Sequence, residues 1–68
     1  MINIWAFKDA SRIRVTDTNG RVFVGALITI DDASEYEDNT EDMLSIQTDD
    51  GRAIGFAQSE VVEIQQIN

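Results

Sequence analysis

The chain has no cysteine, no histidine and no proline. Without cysteine there is no disulfide and no thiolate metal site, and nothing points to an oxidising compartment. Without histidine, the commonest general base and the commonest zinc ligand are both missing. Catalysis would then need a carboxylate pair, or an activated Ser or Lys, held in a pocket. No spacing of acids along the chain fixes such a pair, so the chain is read as a non-enzyme without cofactor or resident metal. A membrane span is missing as well. The longest apolar run, Val22 to Ile30, is too short to cross a bilayer. Met1 to Phe7 is apolar but has no basic region ahead of it, and Lys8-Asp9 interrupts it, so it is not read as a signal peptide. The expectation is a soluble cytoplasmic protein with no membrane partner.

Basic residues are scarce. Five Lys and Arg face thirteen Asp and Glu, for a formal charge of −8. The imbalance is local. Residues 1–30 carry Lys8, Arg12, Arg14 and Arg21 against Asp9 and Asp17, a net of +2. Residues 31–50 carry Asp31, Asp32, Glu35, Glu37, Asp38, Glu41, Asp42, Asp49 and Asp50 and no base, a net of −9. A surplus of this sign keeps a chain soluble and opposes free attraction to nucleic acid or anionic lipid.

At 68 residues the chain is one domain with a small core. Domains of this size bury only about 60% of their unfolded surface and commonly recruit disulfides, metals or oligomerisation. With the first two removed by composition, self-association is the expected aid.

What is present alternates and turns. Arg12-Ile13-Arg14-Val15-Thr16 alternates polar and apolar, which predicts a strand with Ile13 and Val15 inward. Asp17-Thr18-Asn19-Gly20 ends in Asn-Gly, a strong hairpin signal between apolar strands. A long β-branched run, Arg21 to Ile30, follows. Its Gly25 marks a bend, a bulge or a close backbone approach. Asp31 to Asp42 is acidic and aperiodic and reads as an exposed loop. Met43 to Thr48 is a third strand, Asp50-Gly51 a turn, Arg52 to Phe56 a fourth strand, and Val61 to Ile67 a fifth after a very short link. Five short strands joined by tight turns, with no proline, predict an all-β fold, a small and strongly bent open barrel. In residues 1–10, Ile4, Phe7 and Lys8 share a helical face, and Ile2, Ile4 and Ala6 share a strand face. The segment is read as a short helix or turn capping the barrel. Trp5 and Phe7 are assigned to the core, because so short a chain can hardly spare two aromatics; exposed, they would be anchors for a partner.

With Val15, Gly20, Phe23, Gly25, Leu27, Ile30 and Asp31 at their observed spacing, the sequence resembles the first motif of the Sm-like (LSm) family. Ile54-Gly55-Phe56 through Val61-Val62-Glu63-Ile64 is similar to the family's last two strands, and the resemblance covers positions 12 to 67. The acidic loop and the ending also look like the short Sm-like proteins of bacteria and phages. The resemblance implies an N-terminal helix and a half-open, SH3-like barrel of five strands. It also implies a homo-oligomeric ring, hexameric or heptameric, in which the fourth strand of one subunit pairs with the fifth of the next. The interface residues it implies are Ile54, Phe56, Val61, Val62 and Ile64.

The family's RNA site does not carry over. It places an Asp-x-hydrophobic-(Met)-Asn stretch after the second strand, where this chain reads Asp31-Asp32-Ala33-Ser34-Glu35. It places an Arg-Gly pair before the fifth strand, where this chain has Gln58-Ser59. Residual RNA candidates are Arg12, Arg14 and Arg52 as a basic face, with Asp31 and Gln58 at the pocket positions and Tyr36 as the only aromatic near the loop. In a ring of six the summed charge would be roughly −48, which repels RNA over a Debye length. The acidic loop lacks EF-hand spacing and its central glycine, so it is read as solvated rather than metal-binding. Its other use would be docking a protein partner with a basic surface. The expected function is thus a ring-forming binding or scaffold module without the usual RNA site; the alternative is an RNA-binding ring using the non-standard basic face.

Overall fold

The alternation in the first strand sets the fold. In a computed structural model, which describes residues 2–33 and 41–67, Arg12–Asp17 forms β1, with Ile13 and Val15 completely buried. The remaining strands are β2 (Val22–Asp31), β3 (Met43–Thr48), β4 (Ala53–Ala57) and β5 (Val61–Gln66). All pairings are antiparallel, in the order β4-β3-β2-β1-β5. The sheet is mostly meander, but β5 returns to β1. The sheet does not close, so β4 and β5 are its two edges.

Short 3-10 turns are the other regular elements among the described residues. The first, Ile4–Phe7, is started by Asn3, whose side-chain oxygen accepts the Trp5 amide at 3.1 Å. It drives Ile4 fully into the core beside Ile13, Val15, Leu44 and Ile46. Phe56, Val61 and Ile64 complete that core, and the Phe23 and Phe56 rings meet with centroids 5.4 Å apart and planes tilted by 59°. Such tilted pairs add to simple area burial. The expected helix-or-turn cap is therefore a 3-10 turn, and Phe7 packs against the core as read from sequence. Trp5 does not. It is 36% exposed, because a 3-10 turn has three residues per repeat and points Ile4 and Phe7, not Trp5, inward.

Gly25 is a close approach. A Cβ there would lie 2.4 Å from the Gln47 carbonyl oxygen and 3.2 Å from the Thr48 Cα, so only glycine lets β2 lie this near β3. The break in the β2–β3 register falls further along, between Leu27 and Thr29, leaving Ile28 half exposed. A second irregularity sits where β1 meets β5. Thr16 pairs with Glu63 and Asp17 with Val61, so Val62 is an extra residue and its side chain turns outward.

The β1–β2 hairpin is built around Asp17, the one buried charged residue among those described. Its Oδ1 accepts the amides of Asn19 and Arg21, both at 2.9 Å, and its Oδ2 accepts the Arg21 Nε at 3.1 Å. Burial alone would raise this carboxyl. The two amides and the guanidinium outweigh it and hold the group below the ordinary carboxylate value. Gly20 supplies the positive φ (78°) that the turn requires.

Candidate functional site

Two of the four arginines lie on β1 and two in turns, and each is engaged. Arg12 and Arg14 both project from β1 away from Ile13 and Val15. Arg12 reaches Asp49, in the β3–β4 turn, through two bonds of 2.9 and 3.2 Å. That pairing, first through hydrogen bonding and then through charge, holds Asp49 below and Arg12 above their ordinary values. Arg14 donates to the Gln65 side chain across the β1–β5 ladder. Arg52 donates to Asp50, which also accepts the Thr48 hydroxyl; these bonds, the Thr48 one first, lower the Asp50 carboxyl. Arg21 belongs to the Asp17 turn and lies 6.0 Å from the Phe23 ring centroid. Arg12 and Arg14 thus share a sheet face, whereas Arg52 sits in the β3–β4 turn beside Asp50. Exposed pairs of this kind add little stability, but they occupy the cations that a phosphate would need.

The chain after β2 and the β4–β5 link meet at Asp42. Its backbone carbonyl accepts the Gln58 amide at 2.9 Å, and its carboxylate accepts the Ala33 amide at 2.9 Å. The other carboxylate oxygen accepts the Trp5 indole N–H at 2.6 Å. One residue therefore ties the N-terminal turn, the end of β2 and the β4–β5 link. Glu41 adds a second clasp: it accepts both the Ser59 amide (2.7 Å) and the Ser59 hydroxyl (2.9 Å). The Gln58 amide group donates to the Ile2 carbonyl at 2.9 Å, and Glu60 accepts the Ala57 amide at 2.8 Å. Beside these clasps lies an open cavity of about 390 Å³ lined by Ile2, Gln58, Ser59, Val61 and Val62.

Of the residues singled out from sequence, Gln58 lines this cavity. Asp31 ends β2 opposite Met43 and accepts the Thr29 hydroxyl at 3.3 Å, away from the cavity lining. Tyr36 and residues 34–40 of the acidic loop lie outside the described residues. Phe56, Val61 and Ile64 are buried in the subunit's own core, while Ile54 is partly and Val62 half exposed. Sequence reasoning missed Ile2, Glu41, Asp42 and Ser59. Within an aperiodic acidic run, nothing local distinguishes Asp42 from its neighbours.

Chemically, the arrangement is a set of hydrogen-bonded clasps within the chain beside an open, partly apolar cavity. Its carboxylates serve as acceptors for main-chain and side-chain donors, and its floor is aliphatic. Among the described residues no group of three or more acids gathers around one point as a metal would require, and no helix is long and apolar enough to cross a membrane. No protein-family model, no curated protein and no solved structure matches the chain.

Proposed function

We propose that this chain is an Sm-like half-open barrel whose copies join edge to edge into a hexameric or heptameric ring, and that the ring is a cytoplasmic protein-interaction scaffold rather than an RNA-binding device. The observation that carries the reading is the pair of open edges. β4 reads Ala53-Ile54-Gly55-Phe56-Ala57, with no charge, no proline and no bulge to blunt it. β5 closes on the uncharged Gln65-Gln66. Natural sheets protect such edges or pair them. A head-to-tail contact of β4 on β5, repeated around a closed ring, pairs every edge. In that contact the backbone does the bonding, since Phe56, Val61 and Ile64 are already committed to the core of the chain; Ile54 is the side chain left to offer, Val62 being turned out of the sheet by the register slip.

The scaffold half of the reading rests on charge and on the pocket. Each arginine already has an acidic or amide partner, and Gln58 and Ser59 stand where the resemblance would put an Arg-Gly pair. Light scattering during gel filtration, together with titration of uridine-rich and adenine-rich oligonucleotides at low salt, tests both halves. A ring that leaves both oligonucleotides unbound is expected. A monomer at tens of micromolar overturns the ring, and micromolar, salt-sensitive RNA binding overturns the scaffold.

A further inference from the structure

We propose that the cavity between the N-terminal segment and the β4–β5 link docks a basic segment of a partner protein, taking one aliphatic side chain of that segment between flanking Lys or Arg residues. This deepens the scaffold reading above and rests on it.

Three observations on one surface argue for this occupant. The first is the cavity itself, with apolar walls from Ile2, Val61 and Val62 and a volume of about 390 Å³, enough for a branched aliphatic side chain and part of its backbone. Val62 is 54% exposed because the register slip opposite Asp17 turns it out of the sheet. The second is the charge beside it. Glu41 is fixed on the lining residue Ser59 by two bonds, the carbonyl of Asp42 holds the amide of the lining residue Gln58, and Glu60 and Glu63 flank Val61 and Val62 in the sequence. The four arginines are bonded elsewhere, to Asp49, Gln65, Asp17 and Asp50. A cation approaching this end thus meets carboxylates that no arginine has neutralised, and fields of this kind steer basic partners.

The third is Trp5. It is partly exposed, and its indole N–H is anchored on the same Asp42 whose carbonyl holds Gln58. An indole pinned at its nitrogen keeps a ring face for a Lys or Arg, which cation–π attraction favours. The site is also held ready. Gln58 clamps the Ile2 carbonyl and Glu41 clamps Ser59, so a partner has little ordering to impose, which favours affinity.

The occupant is a basic peptide rather than another copy of this chain. In the ring a second copy offers the uncharged β4 to the backbone edge of β5, which leaves the cavity and the carboxylates beside it to a partner of opposite charge. RNA is disfavoured because its phosphates are repelled by those carboxylates.

The test titrates the full-length protein with a synthetic peptide alternating Lys or Arg with Leu, read by amide chemical shifts and by Trp5 fluorescence, with light scattering on the same samples. Shifts at Ile2, Ser59, Val61 and Val62, a change at Trp5 and loss of binding in high salt are expected. Val62→Ser removes only an exposed side chain and is expected to weaken binding roughly tenfold, while Val22→Ser on the hairpin, equally exposed, leaves it unchanged. A peptide with Ser in place of Leu is expected to lose the shifts at the cavity. Three results overturn the proposal: shifts confined to residues 34–40, equal binding of the Ser peptide, or a Val62→Ser protein that binds like its parent. A ring that ignores the peptide sinks the docking site alone. A monomer that binds it sinks the ring alone, and an oligonucleotide that displaces it at equal concentration turns the site over to RNA.

Discussion

Replacing Gly25 by alanine is the sharpest perturbation available, because the structure says where the new atom goes. A Cβ at this position stands 2.4 Å from the Gln47 carbonyl oxygen and 2.8 Å from its carbon, both backbone of the adjoining strand. No side chain can swing aside to relieve the clash. Restoring an ordinary contact means parting β2 from β3 by about 1 Å at the centre of the sheet, a change of the kind that costs about 1–3 kcal/mol in overpacked interiors. The separation also stretches the ladder where Gly25 faces Thr48 and Ala26 faces Gln47, adding roughly 1 kcal/mol for each bond weakened. A total of about 3–5 kcal/mol is large beside the roughly 3–10 kcal/mol expected for a chain of this size. Gly55→Ala is the matched control. Its Cβ would lie 3.7 Å from the Ser45 hydroxyl oxygen and 3.8 Å from the Met43 methyl, ordinary contacts, and it would recover about 0.5–1 kcal/mol of glycine's entropic cost. Urea unfolding followed by far-UV circular dichroism, at one fixed protein concentration, compares the two with the parent. The reasoning is refuted if Gly25→Ala unfolds within about 0.5 kcal/mol of the parent, or if the two alanine variants behave alike.

Asp42→Ala deprives the Trp5 indole and the Ala33 amide of their acceptor and is expected to cost about 1–2 kcal/mol in the same urea assay, with a shift of Trp5 emission. Combined with Trp5→Phe, the two losses are expected to be less than additive; full additivity would show that the bond does not form. Acid titration probes the Asp17 turn. Because folding holds this carboxyl below its unfolded value, its contribution is complete above the unfolded pKa of about 3.9 and is lost as the pH falls through the folded one. An Asp17→Asn variant is expected to lose stability at neutral pH and to flatten that acid limb; an unchanged limb would assign it to other carboxylates. Assembly is expected to strengthen with added salt, since subunits of charge −8 repel one another until screened. Rings that dissociate on adding salt would point to attractive charge pairs at the contact.

How much was legible in advance follows from how local each cause is. β1 is encoded by its own alternation and β3 by its apolar run, and Ile13, Val15, Leu44 and Ile46 are buried accordingly. The turns are encoded by Asn19-Gly20 and Asp50-Gly51, whose glycines carry φ of 78° and 89°. Gly25 was legible as a special position, though a composition rule cannot choose between a bend and a close approach; that choice depends on Gln47, which lies on the adjoining strand but far outside the local sequence window. The slip at Ile28 left no mark, because Ile is at home on either side of a sheet. Trp5 was misassigned for a similar reason: hydrophobicity sets the wish for burial, but the phase of a single 3-10 turn sets who gets it. At the candidate site, Gln58 had been singled out only as an RNA-site position implied by the resemblance, while Asp42 and Glu41 were hidden in a run of acids. Their partners Trp5 and Ser59 stand 37 and 18 residues away.

The pairing of β5 with β1 has a kinetic side. The first strand waits for the last, and Val15 meets Ile64 only after the intervening hairpins have been spun out. Loop closure over so much of the chain makes this contact a late one and the fold slow for its size. Until it forms, β1 has one bare flank while β4 has another, and the nascent sheet is at its most adhesive. The protein's large negative charge then acts as its own chaperone, holding unfinished chains apart while the last strand finds its place.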